Sequence, residues 1–315
     1  MTVPNNTPDL PDAILKASAE HRLVLFIGAG LSCAAGLRDW RDLKDTLISN
    51  VQVGPGQDLG TLRQNLAGLG YYECFSEIKK QDPDSYRQVM RDFLTPATTM
   101  KQKFKNLFNH LKTLDPISVV TLNMDTFLLD DETFAWAEKR KIGQCWPWEI
   151  SQRRLFFFHG YVSHVGGDEE KWVFNREELE SRYDKHDDAS RFLHGLFSGH
   201  YTVLFVGFSF SDQKLLTHAL LPKFTQDEIY GITKNRKPFH YALIDSVSAD
   251  NEDSGCNKNK LKNYGIEPII YKYLESDPLN SYSNFDRTLE SWASGRAVVT
   301  EQSPSIPEEG PPIVP

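Results

Sequence analysis

Short apolar runs recur along the chain, separated by longer segments in which apolar residues repeat every three or four positions. The first run, at residues 22–27, is almost continuous and consists mainly of Val, Leu, Ile and Phe, as in strands buried on both faces of a parallel sheet. Similar runs occur at residues 117–122, 155–158, 202–206, 241–244 and 268–273. Their alternation with helical segments predicts an α/β fold, with a Rossmann-like, mainly parallel sheet flanked by helices.

Helices are predicted between these runs, at residues 9–21, 39–51, 101–114, 131–141 and 189–200. From residue 61 to residue 111 the pattern is helical throughout, and Leu62 and Leu66, for example, lie one turn apart. We therefore expect a helical insertion at about residues 55–114, after the first strand–helix unit. It should pack as a lobe over the edge of the sheet.

The last residues differ in composition from the rest of the chain. Residues 298–315 are rich in Pro, Ser and Glu and have no amphipathic period, which predicts a disordered tail or linker. We expect one domain at residues 1–297, followed by a disordered tail or a linker at residues 298–315.

Composition and charge narrow the class of protein. The chain has 315 residues, of which 40% are hydrophobic, and its formal net charge is −8, so no overall basic surface for nucleic acid is expected. The apolar runs are far shorter than the roughly 20 residues of a membrane span, and the N-terminus lacks the features of a secretory signal. We expect a soluble cytoplasmic protein without a metal site, because no C-x-x-C pair exists among Cys33, Cys74, Cys145 and Cys256.

A glycine-containing turn follows the first predicted strand and includes Gly28, Ala29, Gly30 and Ser32. Glycines at a strand end let the backbone approach a phosphate, and the next helix directs its N-terminal N–H groups towards that phosphate. The usual dinucleotide fingerprint has a third glycine where Cys33 stands, so this is not a regular dehydrogenase turn. A tight turn without a ligand remains an alternative.

A second group of polar residues ends the run at 117–122 and comprises Thr121, Asn123 and Asp125. Side chains spaced by two in extended backbone point in the same direction, here towards the crevice at the carboxyl edge of a parallel sheet. The alternative is a turn in which Asn123 and Asp125 act as local caps.

Two further strand ends carry candidate groups. His159 follows three phenylalanines and precedes Gly160, and burial there would favour a neutral imidazole that can act as a base. Gly207 and Ser209 follow the run at 202–206, although Ser211 or Asp212 in the same segment could simply cap a helix. A shared nucleotide-sized ligand explains four such strand ends better than four unrelated turns.

Together the four segments resemble the sirtuin family, specifically its bacterial sirtuin-like NAD-cleaving branch. The family patterns are G-A-G-hydrophobic-S-x-x-S/A-G-I-P-D-F-R, T-Q-N-I-D, L-H-G and a strand followed by G-x-S. The corresponding segments here are residues 28–41, 121–125, 158–160 and 206–209. Arg38, Trp40 and Leu122 depart from the family's Pro, Phe and Gln. The resemblance spans about residues 22–275.

The resemblance implies a role for each matching residue. Gly28, Ala29 and Gly30 would hold the pyrophosphate of NAD⁺, with Ser32 beside it. The remaining cofactor-binding positions are Asp39 and Arg41 over the nicotinamide ribose, Thr121, and Gly207 and Ser209 at the adenosine half.

Three catalytic residues are implied in the same way. Asn123 would bind the nicotinamide ribose and place the attacking water, Asp125 would bind the carboxamide, and His159 would act as general base. Cleavage of the C–N glycosidic bond passes through an oxocarbenium-like centre, for which orientation and polar contacts matter more than a strong acid.

The departures from the family indicate which reaction to expect. Deacylases of the family carry a zinc lobe with paired C-x-x-C motifs, which this chain lacks, so water is the expected acceptor. The resemblance thus implies an NAD⁺ glycohydrolase that depletes NAD⁺ in bacterial antiviral defence by abortive infection. A homo-oligomer, a defence-system partner or a further domain would control it. A zinc-free deacylase or ADP-ribosyltransferase and a non-catalytic NAD or ADP-ribose sensor remain alternatives.

Overall fold

The computed structural model describes residues 7–52, 54, 56, 58–129, 138–141, 146–162, 172–183, 188–198, 200–210, 240–273 and 282–301. These residues form a sheet of seven parallel strands in the order β3-β4-β2-β1-β5-β6-β7. The strands are β1 Leu23–Ile27, β2 Ser118–Thr121, β3 Glu138–Lys141, β4 Arg154–Phe157, β5 Thr202–Val206, β6 His240–Asp245 and β7 Ile266–Tyr271. The predicted Rossmann-like α/β fold is therefore confirmed.

Helices cover both faces of this sheet and also form a separate group. Those before β2 are α1 Asp12–Ala19, α2 Ala29–Ala34, α3 Trp40–Asn50, α4 Leu59–Gly68, α5 Tyr71–Gln81, α6 Pro83–Leu94 and α7 Thr98–Lys112. Those after β4 are α8 Arg176–Arg182, α9 Asp188–Ser198, α10 Ser246–Asp250, α11 Lys258–Asn263 and α12 Ser283–Glu301. Short 3₁₀ helices occupy Phe127–Leu129 and Pro147–Ser151. Within the described residues, no helix is both long enough and apolar enough to cross a bilayer.

Strand β1 lies at the centre of the sheet, and all five of its side chains are buried. Leu25 pairs with Val119 of β2 on one side and with Leu204 of β5 on the other. Alternate β1 residues join two different cores, because successive side chains of a strand point to opposite faces. Burial on both faces explains why the run is continuously apolar.

The helical insertion is present, and its helices pack in two different places. Helices α4, α5 and α6 share a core with α3, in which Leu47, Phe75 and Met90 are buried. Helix α7 instead packs on the sheet, and its Phe104 ring stacks on Phe127 with centroids 4.5 Å apart. The lobe beside the sheet is thus built from α3–α6, and α7 covers one face.

Two segments differ from the sequence expectation. Residues 138–141, predicted as the end of a helix, form the edge strand β3, whose backbone pairs with β4. This segment is charged throughout and has no apolar period, so strand pairing decides its structure. Helix α12 continues through residues 298–301, within the predicted tail. Residues 131–137 and 302–315 lie outside the described residues.

Candidate active site

The four segments singled out in the sequence follow β1, β2, β4 and β5, which are adjacent in the sheet. Because these strands are parallel, all four segments leave the same edge. The chain continues from β1 to one side of the sheet, and β5 lies on the other side, so the β1–β5 boundary is the switch point at which such sheets bind ligands. The β2 and β4 ends also contact each other, since the Val162 N–H donates to the Met124 carbonyl over 2.8 Å.

The glycine turns after β1 and β5 touch backbone to backbone. The Gly28 N–H donates to the Val206 carbonyl over 3.0 Å, and the Gly30 N–H donates to the Gly207 carbonyl over 2.7 Å. A methyl group built on Gly28 would lie 2.5 Å from the Gly207 carbonyl oxygen and 2.7 Å from the Phe208 Cα. Gly207 has a φ of +65°, a conformation that favours glycine. Glycine is therefore required here by the neighbouring turn.

This arrangement changes the expected phosphate contacts. Both glycine N–H groups already donate to protein carbonyls, so neither is free for a ligand in this conformation. Helix α2 has only six residues, so its dipole is small. An anion bound at this turn would need other partners.

A buried polar cluster lies under the Gly28 turn. The Ser32 hydroxyl donates to Asp125 Oδ2 over 2.7 Å, and Asn123 Nδ2 lies 3.0 Å from both the Gly28 carbonyl oxygen and Ser32 Oγ. Asp125 is 4% exposed, and this burial raises its pKa to about 6, although hydrogen bonds from Ser32 and the Phe127 N–H oppose the rise. Asn123, Ser32 and Asp125 are therefore held together as one unit.

Thr121 supports this cluster from below. Its hydroxyl donates to the Ile27 carbonyl and accepts the Asn123 N–H, each over 3.0 Å, and its side chain is fully buried. Thr121 thus positions Asn123 relative to β1.

A cavity of about 40 Å³ opens beside this cluster, well below the roughly 300–1,000 Å³ of ligand pockets, so a dinucleotide requires the site to widen. Five predicted site residues line it, namely Ala29, Ser32, Asp39, Asn123 and Asp125. The lining residues that the sequence did not assign are Cys33, Leu37, Arg38, Trp40, Leu43, Phe93, Leu94, Met124 and Phe174. The other predicted site residues, which do not line it, are Gly28, Gly30, Arg41, Thr121, His159, Gly207 and Ser209.

His159 lies at the end of β4, where it is 5% exposed. Its Nε2 atom is 2.7 Å from the Tyr183 hydroxyl, just after α8. Burial lowers the His159 pKa to about 3, and the nearby Arg182 charge adds to this shift, so the imidazole is neutral at physiological pH. The imidazole thus has the neutral form that a base requires, but in this conformation its Nε2 atom is hydrogen-bonded to Tyr183.

The remaining predicted residues have local structural contacts. The Asp39 carboxylate caps α3 by accepting the N–H groups of Arg41 and Asp42 over 2.8 and 3.0 Å. The Arg41 side chain is exposed on the first turn of α3. Ser209 is exposed, and its carbonyl accepts a hydrogen bond from the Cys256 thiol over 3.0 Å. Ser211 and Asp212 lie outside the described residues.

The described residues contain no group of three or more His, Cys, Asp or Glu side chains that could hold a metal ion. The acidic and polar groups of the cavity are instead hydrogen-bonded to each other and to backbone. The described lining of the cavity combines these polar groups with the aromatic side chains of Trp40, Phe93 and Phe174.

Fold and site together define a Rossmann-like α/β protein with a polar cavity beside the carboxyl ends of β1 and β2. Residues 117–269 match the family model described as SIR2-like domain, which confirms the resemblance to the sirtuin-like family. This segment is just under half of the chain, and it includes Asn123 and His159 but not the Gly28 turn.

A solved structure described as a Sir2 homolog–NAD complex aligns with 93% of this chain and 96% of its own, at 11% identity and a TM-score of 0.40. No curated protein sequence matches the chain.

Proposed function

We propose that the protein is an NAD⁺ glycohydrolase that cleaves NAD⁺ to nicotinamide and ADP-ribose. The observation that carries this proposal is the hydrogen-bonded cluster of Asn123, Ser32 and Asp125, which lines a cavity beside the carboxyl ends of β1 and β2. The SIR2-like match of residues 117–269, which contain two of these side chains, supports an NAD-related function.

The reaction breaks the bond between C1′ of the ribose and the pyridinium nitrogen. Both bonding electrons leave with nicotinamide, which becomes neutral, and C1′ becomes an oxocarbenium-like centre. A water oxygen then bonds to C1′ and loses a proton, giving ADP-ribose. Asn123 orients the ribose and the water, and the Asp125 carboxylate accepts the carboxamide N–H. Such fixed polar contacts act by orientation and by electrostatic stabilisation.

His159 is the proposed base in this scheme. A neutral imidazole can accept a proton, either from water or through a ribose hydroxyl. Its Nε2 atom is held by Tyr183, so proton transfer through that nitrogen requires this hydrogen bond to be replaced. This requirement gives the insertion, an oligomer or a partner protein a step at which to control activity, as an NAD⁺-depleting enzyme of antiviral defence would need.

Nicotinamide release from NAD⁺, measured by liquid chromatography, tests the proposal. Asn123→Ala and His159→Ala should each reduce the rate at least a hundredfold, the usual scale for a lost orienting or acid–base group, roughly 10² or more. Asn65→Ala and His194→Ala are matched controls at exposed helical positions. Equal rates for all five proteins, with folding verified by circular dichroism, would refute the assignment.

A non-catalytic sensor of NAD⁺ or ADP-ribose is the second candidate. The observation that favours it is that His159 is bound to Tyr183 and does not line the cavity. A sensor would bind ADP-ribose and release no nicotinamide under any condition, including addition of a partner. Binding titrations run beside the turnover assay separate the two functions.

A further inference from the structure

The described lining of the cavity has two acidic side chains and one basic side chain, and this balance matters for binding an anionic ligand. The charged side chains among its described lining residues are Arg38, Asp39 and Asp125. Arg38 is therefore the single cation of that lining. A dinucleotide carries two negative charges on its diphosphate, and the two aspartates alone would repel it.

Arg38 is held in a defined position. It lies in the loop between α2 and α3, and its guanidinium carbon is 4.3 Å from the centroid of the Phe93 ring on α6. The Phe93 side chain is only 5% exposed, so the ring is a fixed platform. A guanidinium stacked on an aromatic face keeps its N–H edge available for a bidentate anion.

The described part of the chain offers Arg38 no carboxylate partner. No ion pair joins it to a described acidic residue, and the adjacent Asp39 carboxylate already caps α3 through two backbone N–H groups. The Arg38 side chain is exposed at the cavity. A cation placed in this way is available for a ligand.

Two N–H groups of the turn after β1 are already occupied. The N–H groups of Gly28 and Gly30 donate to carbonyls of the β5 end, and α2 is a single short helix. We infer that Arg38 binds the diphosphate of the dinucleotide and so determines affinity for phosphorylated nucleosides. This inference rests on the proposed function, but the family pattern does not assign it, because that pattern has proline at this position.

Isothermal titration with ADP-ribose and with adenosine tests the inference. Arg38→Ala should weaken ADP-ribose binding about tenfold or more, the usual effect of losing a charge-assisted hydrogen bond. Arg38→Lys should have a smaller effect and Arg38→Glu a larger one. Adenosine, which has no phosphate, should bind all variants equally. Arg87→Ala, which removes an exposed cation of α6 paired with Asp84, is the control and should bind like the wild type.

The outcomes separate the inference from the proposed function. If the wild type binds ADP-ribose and Arg38→Ala binds it equally well, the inference is wrong and the proposed function stands. Equal loss of ADP-ribose and adenosine binding would also overturn it, because Arg38 would then support the cavity through its Phe93 contact. If the wild type binds no ADP-ribose, the inference is wrong, and nicotinamide release from NAD⁺ decides the proposed function separately.

Discussion

The contact between the two glycine turns predicts a large effect of one added methyl group. In Gly28→Ala the new Cβ would meet the Gly207 carbonyl oxygen at 2.5 Å and the Phe208 Cα at 2.7 Å. The φ and ψ of Gly28 are −106° and 179°, which any residue adopts, so the effect is purely steric. Both obstacles are backbone atoms and cannot move as a side chain would.

The expected magnitude follows from this rigidity. Overpacking a core usually lowers the free energy of unfolding by about 1–3 kcal/mol, and an obstacle of backbone atoms places Gly28→Ala at or above the upper end. Relief requires β1 and β5 to separate at their ends, which would also break the 2.7 Å hydrogen bond from the Gly30 N–H to the Gly207 carbonyl. We expect a loss of about 3 kcal/mol or more.

Urea unfolding followed by circular dichroism measures this effect. Gly295→Ala is the matched control, because Gly295 is an exposed residue of α12 with no atom within 4 Å of an added Cβ. In a helix this substitution should stabilise the protein by about 0.5–1 kcal/mol. If Gly28→Ala unfolds at the wild-type urea concentration, the close approach of the two turns is wrong.

Three further predictions concern buried and capping groups. Burial raises the pKa of Asp125 to about 6, so the folded protein binds this proton more tightly than the unfolded chain does. The resulting stabilisation is complete below about pH 4 and is lost as the pH rises through 6, so between pH 4 and 7 the free energy of unfolding of the wild type should fall by about 3 kcal/mol relative to Asp125→Asn. Parallel pH profiles of the two proteins would contradict this. Tyr183→Phe removes the hydroxyl bound to His159 and should lower the unfolding free energy by about 1–3 kcal/mol in urea titrations, whereas no change would show that the contact contributes nothing. Glu178→Ala removes the contacts to Lys79 and to two backbone N–H groups at the start of α8, and should lower the free energy of unfolding by about 1–2 kcal/mol. The control Glu177→Ala, at an exposed position, should lower it by at most about 0.5 kcal/mol. Equal effects of the two substitutions would refute the capping role of Glu178.

The central sheet could be predicted from the sequence because its strands are buried on both faces. That burial requires continuous apolar runs, as in β1, and such runs are visible without a structure. Strand β3 could not be recognised, because its residues are charged and its pairing depends on the backbone of β4. The packing of α7 on the sheet was also not predictable, since its apolar stripe fits either a lobe or a sheet.

The candidate site was predictable only in part. Asn123, Ser32 and Asp125 could be placed together because parallel strands end at one edge. The cavity wall contributed by Phe93 and Phe174 could not, because it depends on how the lobe packs against the sheet. The partner of His159 was equally hidden, since Tyr183 is distant in sequence and only tertiary packing brings its hydroxyl to the imidazole.

A crystal structure of the protein with bound ADP-ribose would show whether the Asn123–Ser32–Asp125 cluster binds the nucleotide. We expect the terminal ribose within hydrogen-bonding distance of Asn123, about 3 Å, and the diphosphate beside Arg38. ADP-ribose bound outside the cavity, with the Asn123–Ser32–Asp125 cluster untouched by the ligand, would contradict it.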